Sequence, residues 1–308
     1  MIFEETDWIT STPLENIPLH FGTTQKKPCL HKRRRSNMMI NPLELKHINS
    51  IDALQADMIT LNLEDAIAPS RKKEALYNIA LFLSNLEFSS SFIVVRTNPF
   101  YKGGKEEIAF LNDFGFDGFR LPKITSKKEI KEALSLINKT KELHLTIETK
   151  ESFLMLEELK LDEQITTVNL GLLDLLSSMG LPHNLIQLDN PTVEYIMAKF
   201  LIDTKSANLH PISFMFQQYN DTESFRAWCK KEQKMGFESK ACLGPKQVTI
   251  ANEIFGISED ERNRAFAIKR LFEASSKNNI NGFMSENYGY IDEPIYRDAL
   301  NTLKHIGS

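Results

Sequence analysis

The sequence has few cysteines, and none of them is arranged to bind a metal. Its three cysteines, Cys29, Cys229 and Cys242, lie far apart, and no CxxC pair occurs. This argues against a disulfide framework or a zinc site and favours a reducing compartment. The first ten residues, MIFEETDWIT, are acidic and lack the apolar region of a signal peptide. We therefore predict a cytoplasmic protein.

Long apolar runs and a strong charge of one sign are also absent. No run approaches the roughly 20 residues of a membrane span, and the formal net charge is −4. Neither feature predicts a nucleic-acid or membrane partner. One basic run, HKRRR at 31–35, is most simply a solvated segment. Part of it could face an anionic ligand, and Arg35 is the candidate that we retain.

What the sequence does have is a regular alternation of short apolar runs with segments of helical period. Strand–helix alternation predicts a parallel sheet, and eight units are the number that closes a (β/α)8 TIM barrel. A doubly wound open sheet is the alternative, but its first turn is usually glycine-rich. The first turn here, NPLELK, has no glycine. The eight apolar runs are NMMIN (37–41), DMITLNL (57–63), FIVVRTN (92–98), GFRLP (118–122), HLTIET (144–149), TTVNLG (166–171), ISFMF (212–216) and KACLG (240–244).

Three regions are predicted along the chain. Residues 1–34 form an N-terminal arm, laid over the barrel or partly disordered, and residues 35–257 form the TIM-barrel catalytic domain. Residues 258–308 form a C-terminal helix and lid, too short for a second domain. The helix begins with a capping box, because Ser258 precedes Glu261 by three residues.

Charged side chains follow the predicted strands one after another. The active site of a TIM barrel lies at the carboxyl ends of its strands, so these side chains predict a polar cluster there. The candidates are Glu64 and Asp65 after strand 2, Arg96 and Asn98 on strand 3, Arg120 and Lys123 on strand 4, Glu148 at the end of strand 5 and Asp174 after strand 6.

Glu148 and Asp174 are the candidate metal ligands. Neighbouring strands lie about 4.8 Å apart, so both carboxylates could reach one ion. Two carboxylates, with room for substrate oxygens and water, suit Mg²⁺. The alternative is that each acid caps the following helix. Thr149 or Ser152 would cap better than Glu148, whereas for Asp174 the capping alternative is stronger.

Arg96 and Lys123 each allow two interpretations. A charged side chain inside a buried run needs a partner, so Arg96 predicts an ion pair with Glu64. Arg96 could at the same time face an oxyanion. Lys123 is either a Schiff-base lysine or a surface lysine at the end of a strand.

Eight motifs, taken in order, resemble the citrate lyase β-subunit family within the HpcH/HpaI-type aldolases. The resemblance implies a TIM barrel with a C-terminal lid and a Mg²⁺-dependent enzyme that cleaves or forms a carbon–carbon bond beside an acyl thioester. Citryl, malyl and citramalyl substrates are implied. The motifs are RRSNMMINP, LNLEDAIAPSRKKEA, VVRTNP, GFRLPKI, TIETKESF, NLGLLDLLSSMG, ESKACLGPKQV and GYIDEPIYRDAL.

The same resemblance implies roles for individual residues. Glu148 and Asp174 would be the Mg²⁺ ligands, and Arg96 would stabilise the developing enolate. Asp292 would be a lid acid that exchanges protons and, in several members, acts from a neighbouring subunit. Homotrimers or homohexamers are implied. Glu64 is a further catalytic candidate, and the candidates for substrate binding are Arg35, Asp65, Asn98 and Lys123.

The chain departs from the family pattern around the pockets. Leu173 stands where an acid is common, and Gly244 replaces a histidine. The resemblance thus implies a reaction class more strongly than an acyl substrate. Two alternatives stay open: a thioester-independent aldolase acting on a 2-keto-acid adduct, and a non-catalytic barrel used as a binding or assembly subunit.

Overall fold

The computed structural model describes residues 1–20, 26, 29 and 33–304. The described residues form two compact units. The larger contains residues 34–255 together with the described residues up to Cys29, and the smaller contains Arg33 and residues 256–304. The candidate metal, arginine and lysine positions all lie in the larger unit.

The larger unit contains an eight-stranded parallel sheet whose strands follow one another in chain order. Each strand from β1 to β6 pairs with the next, and β8 pairs with β1 on the other side. This is the predicted TIM barrel, and the structure confirms it. The strands are β1 (Ser36–Ile40), β2 (Met58–Asn62), β3 (Phe92–Arg96), β4 (Gly118–Leu121), β5 (Glu142–Ile147), β6 (Ile165–Leu170), β7 (His210–Ile212) and β8 (Lys240–Cys242).

The seam between β7 and β8 closes the barrel with a single bridge. Ser213 and Lys240 form this bridge, and the Ala241 amide donates to the Ser213 carbonyl at 3.2 Å. The sequence predicts the seventh strand at 212–216, but β7 begins two residues earlier and is only three residues long. The chain leaves the sheet after Ser213 because Phe214 and Phe216 turn into the apolar core instead.

Some of the helices begin where a polar side chain caps their first amides. Asn190 caps the eighth helix, Asp221 the ninth, and the αL residue Gly236 ends the ninth. The first connection, predicted as helical over 42–55, holds a single turn of helix. In this unit the helices are α1 (Asp7–Ser11), α2 (Leu45–Ile48), α3 (Lys72–Asn85), α4 (Lys105–Leu111), α5 (Lys127–Leu136), α6 (Lys150–Leu154), α7 (Leu172–Ser178), α8 (Pro191–Ser206), α9 (Thr222–Met235) and α10 (Pro245–Ile254).

The described N-terminal residues pack on the larger unit. Ile9 and Ile17 are buried in its core, and the Phe3 ring meets Phe82 at 5.2 Å between centroids. The Ile2 amide donates to the Asn49 carbonyl at 3.0 Å. Residues 1–20 therefore contribute apolar surface to the same core as the barrel.

The smaller unit has its own apolar core. It consists of α11 (Glu259–Ser276), the antiparallel pair β9 (Gly282–Ser285) and β10 (Gly289–Asp292), and α12 (Glu293–Lys304). The predicted capping box is present, since Ser258 and Glu261 bond each other's backbone amides. The β9–β10 hairpin is not predicted by the sequence, whose apolar residues there are few. Among the described helices of both units, none is long and apolar enough to cross a membrane.

A buried ion pair lies beside the seam. Lys240 and Glu232 are both fully buried and paired with each other, and Ser213 Oγ donates to Glu232 Oε1 at 2.7 Å. The Lys240 ammonium also lies 3.7 Å from the centre of the Phe214 ring. The two charges therefore depend on each other, because no water reaches either of them.

Removing one partner of this pair is expected to destabilise the barrel strongly. Glu232→Leu leaves a buried ammonium without a counterion, which costs about 3–5 kcal/mol. The double variant Glu232→Leu/Lys240→Met is expected to recover most of that loss. Urea unfolding measures both, with Arg226→Ala, which breaks the exposed Arg226–Glu253 pair, as the control. A Glu232→Leu protein as stable as this control would contradict the expectation.

Candidate active site

Four charged residues meet at the carboxyl ends of β2 to β5, and we call Glu64, Arg96, Lys123 and Glu148 the mouth cluster. Arg96 Nη2 lies 2.8 Å from Glu64 Oε2 and 3.2 Å from each oxygen of Glu148. Lys123 Nζ lies 2.9 Å from Glu64 Oε1. Glu64, Arg96 and Glu148 are buried. The predicted Arg96–Glu64 pair is present, and Glu148 shares the same guanidinium.

The electrostatics of Glu64 reflect this crowding. Burial raises the pKa of Glu64, and the positive charge of Arg96 offsets part of that rise. A buried carboxylate with two cationic partners is held in one orientation. Glu64 in turn fixes where the Arg96 guanidinium sits.

Glu148 does not cap the helix that follows it. The following helix, α6, is capped by Thr149 in a capping box with Ser152, so Glu148 is not needed as a cap. The Lys123 amide donates to Glu148 Oε1 at 2.7 Å. Lys123 adopts a left-handed φ of 49° at this turn. The second oxygen, Oε2, points toward Gly171.

Gly171 packs closely against Glu148. A Cβ at this position would lie 2.5 Å from Glu148 Cβ and 2.7 Å from Glu148 Oε2. It would also lie 3.3 Å from Thr146 Cγ2. A side chain at 171 would therefore clash with Glu148, and glycine is what allows the backbone to approach this carboxylate so closely.

Asp174 comes from the same side of the barrel. Gly171 is the residue before α7, and Asp174 lies exposed in the first turn of that helix. It makes no capping hydrogen bond, so the capping alternative does not account for it. Glu148 follows β5 and Asp174 follows β6, so both are hard oxygen donors at the carboxyl ends of neighbouring strands.

The donor set fits a cation that keeps most of its ligands from water or substrate. Within residues 1–20, 26, 29 and 33–304, no group of three or more His, Cys, Asp or Glu side chains forms a metal cage. Two carboxylates match Mg²⁺, which usually binds one or two carboxylates and retains waters. The hard oxygen chemistry of this donor set is the feature that supports the fit.

Lys123 is held as an ammonium. Its Nζ pairs with Asp65 Oδ2 at 2.8 Å as well as with Glu64. Burial lowers the pKa of Lys123, but its hydrogen bonds to Asp65 and Glu64 outweigh burial, and the pKa lies above its ordinary value. A Schiff-base lysine must lose its proton readily. These ion pairs therefore favour the other interpretation, a lysine held at the end of the strand.

Asp65 is exposed and lies at the outer edge of the mouth cluster. Burial acts to raise its pKa, but the hydrogen bond from Lys123 prevails, and the pKa of Asp65 is lowered. Asp65 and Lys123 are thus the two predicted substrate-binding residues whose charged groups reach the rim of the site.

Asn98 forms hydrogen bonds that support the backbone next to the mouth cluster. Lys72 Nζ donates to Asn98 Oδ1 at 2.8 Å and to the carbonyls of Leu63 and Glu64 at 2.6 and 2.8 Å. The Asn98 amide nitrogen of the backbone donates to Glu107 Oε2 at 2.7 Å. Sequence reasoning missed Lys72 and Glu107, although Lys72 lies within the quoted LNLEDAIAPSRKKEA motif.

Arg120 lies inside the barrel next to Arg96. The two residues are register partners on β4 and β3, and Arg120 Nε donates to Thr146 Oγ1 at 2.8 Å. Burial lowers the pKa of Arg120 to about 9, and the charge of Arg96 acts in the same direction.

Two predicted site residues lie elsewhere. Arg35 precedes β1, at the amino end of the strands, where its guanidinium bonds both oxygens of Asp57 at 2.8 Å. It does not join the mouth cluster, because the carboxyl ends of the strands are at the other end of the barrel. His31 and Lys32 of the basic run lie outside the described residues.

Asp292 lies in the smaller unit, as the last residue of β10. Its Oδ1 accepts a hydrogen bond from the Ile295 amide at 3.2 Å, so it caps α12. The capping alternative for this acid is thus present. Its proton-transfer role stays a prediction.

Comparison with known proteins places these residues in a family context. Residues 35–245 match the family model of the HpcH/HpaI aldolase/citrate lyase family. The citrate lyase subunit beta of Leuconostoc mesenteroides subsp. cremoris is 26% identical over 285 residues, covering 88% of this chain and 92% of that protein.

Two solved structures share the fold over nearly the whole chain. A citrate lyase from Burkholderia xenovorans LB400 superposes with a TM-score of 0.77 at 15% identity, covering 94% of this chain and 95% of that one. The CitE protein of Mycobacterium tuberculosis, in complex with magnesium, acetoacetate and coenzyme A, gives 0.69 at 17% identity, covering 90% and 99%. At these identities the likeness shows the fold alone.

The pairing of Lys123 predicts that it forms no imine. Treatment with pyruvate and sodium borohydride is expected to leave Lys123 unmodified, because its ammonium is held by Glu64 and Asp65. Peptide mass spectrometry measures this, with Lys123→Arg as the control that cannot form the adduct. A reduced pyruvyl adduct on Lys123 in the native protein would overturn the assignment.

Proposed function

The chain belongs to the HpcH/HpaI aldolase/citrate lyase family, and we propose that it is a Mg²⁺-dependent carbon–carbon lyase. Its substrates are citryl-, malyl- or citramalyl-type acyl thioesters, cleaved or formed through an enolate. The observation that carries the proposal is the single guanidinium of Arg96, held between Glu64 and Glu148 at the carboxyl ends of the strands.

Glu148 and Asp174 would hold the Mg²⁺ ion. Mg²⁺ supplies a Lewis acid and a template for the carboxylate and neighbouring oxygen of a 2-hydroxy or 2-keto acid. The chain's own contribution is to present Glu148 in a fixed orientation. The Lys123 amide and the Arg96 guanidinium hold it there, and Gly171 packs against its other side.

Arg96 stabilises the charge that appears when the carbon–carbon bond breaks. The bonding electron pair moves onto the acyl carbonyl, and an enolate oxygen forms. A buried guanidinium already in place stabilises such an oxygen without reorganisation. Glu64 is the positioning residue for Arg96, since its Oε2 lies 2.8 Å from Nη2.

The rim residues complete the site. Lys123 and Asp65 are the partly exposed charges next to Glu64, and the proposal assigns them to substrate contact at the entrance. Asn98 is assigned to support, because its side chain is bonded to Lys72 and to the backbone. The homotrimer or homohexamer, the cytoplasmic location and the lid role of Asp292 remain predictions from the sequence.

The direct test is a screen of acyl thioesters and 2-keto acids with Mg²⁺, following cleavage and condensation products. Turnover of a citryl-, malyl- or citramalyl-type thioester supports the proposal. Coenzyme A titrated by calorimetry separates it from the thioester-independent alternative. A protein that binds Mg²⁺ and coenzyme A and turns over none of these compounds would favour the non-catalytic alternative.

The first prediction of this proposal concerns Glu148 as a Mg²⁺ ligand. Glu148→Gln is expected to weaken Mg²⁺ binding at least about tenfold, because even residues around metal ligands contribute 10–100-fold to affinity. Calorimetric titration with Mg²⁺ measures it. Glu151→Gln, at an exposed acid three residues later, is the matched control and is expected to bind as the native protein does. Equal affinities in the two variants would remove Glu148 from the metal site.

The second prediction concerns Arg96. Arg96→Lys keeps the charge and loses the planar fork, and loss of an oxyanion donor costs about 10²–10³ in kcat. Steady-state kinetics on the substrate found in the screen measures this. Arg226→Lys, at an exposed arginine, is the control. An Arg96→Lys enzyme within a few-fold of native kcat would leave Arg96 only as the partner of Glu64.

A further inference from the structure

Arg120 is a buried guanidinium without a counterion. Its side chain is 6% exposed, and Nη1 is fully buried with no hydrogen-bond partner. Within the described part of the chain, no carboxylate lies within 4.0 Å of its nitrogens. Its one hydrogen bond is from Nε to the hydroxyl of Thr146.

A buried guanidinium without a counterion destabilises the folded protein unless an acceptor pairs with it. A charge taken out of water needs a partner, and buried donors are almost always satisfied. An arginine remains protonated at neutral pH. The missing partner is therefore an acceptor, and a carboxylate matches the planar fork best.

The contacts of Arg120 place it beside the mouth cluster. Arg120 is the register partner of Arg96, one strand away. Thr146, which accepts a hydrogen bond from Nε, lies two residues before Glu148. A small anion bound at this end of the barrel would therefore meet Arg120 next to Arg96.

The other cations of the mouth are already engaged. Arg96 is shared by Glu64 and Glu148, and Lys123 is shared by Glu64 and Asp65. Arg120 alone among these three has no carboxylate. A carboxylate that binds Arg120 is thus distinct from the group held between Glu148 and Asp174.

We infer that Arg120 is a specificity-determining residue that binds a second carboxylate of the acid substrate. The inference rests on the proposed function and narrows it. The acid half of the substrate carries two carboxylates, one directed to Glu148 and Asp174 and one directed into the barrel to Arg120. Acids with a single carboxylate leave Arg120 unpaired and bind more weakly.

The test compares DL-malate with DL-lactate, two stable 2-hydroxy acids that differ by one carboxylate. Calorimetric titrations are made with Mg²⁺ present, on the native chain, on Arg120→Met and on the exposed control Arg226→Met. The native chain is expected to bind malate about tenfold more tightly than lactate, as expected for one charge-assisted contact. Arg120→Met is expected to abolish this preference. Its affinities for lactate and for Mg²⁺ are expected to stay within about twofold of those of the native chain.

Arg120→Lys is the second variant, in case Arg120→Met does not fold. It keeps the charge but loses the fork, so its preference for malate is expected to be weaker than that of the native chain. A preference for malate that is undiminished in whichever Arg120 variant folds would overturn the inference. Equal Mg²⁺-dependent binding of both acids by the native chain would overturn it while leaving the proposed function in place. No Mg²⁺-dependent binding of either acid would count against the proposed function, and the inference would fail with it.

Discussion

The site depends on one guanidinium shared by two buried carboxylates. Glu64 and Glu148 come from strands that are not neighbours, and each would be costly to bury alone. Arg96, on the strand after Glu64, meets both through Nη2. The three residues therefore fix one another, and the position of Glu148 is decided by an ion pair as well as by its own strand.

The surrounding polar groups make that arrangement rigid. Lys72 ties together the Leu63 and Glu64 carbonyls and the Asn98 side chain, and Glu107 binds the Asn98 backbone amide. The chain that follows β2 is thus fastened to the chain that follows β3. Catalytic geometry needs such support, because a side chain displaced by about 1 Å costs much of the rate.

Sequence reasoning reached most of the fold because strand and helix periods repeat eight times. It also located Glu64, Arg96 and Glu148, since a charge at the end of an apolar run is visible without a structure. It wrongly assigned Arg35 to substrate binding. The basic run alone does not reveal that the guanidinium is paired with Asp57 at the amino end of the strands. Whether Asn98 faces a ligand or supports a loop depends on its hydrogen bonds with Lys72 and Glu107, which the sequence does not show. That Arg120 has no carboxylate partner is likewise visible only in the three-dimensional structure.

The seam between β7 and β8 has a consequence for hydrogen exchange. One bridge joins these strands. In contrast, β5 and β6 share a ladder that runs from the pair Leu143–Ile165 to the pair Ile147–Leu170. Local opening requires the fewest bonds to break at the seam, so the Ser213 and Ala241 amides exchange through a smaller fluctuation than the amides of β5. Each such opening also admits water to Lys240 and Glu232. The charge pair is thus hydrated by the same fluctuation that exposes the two amides.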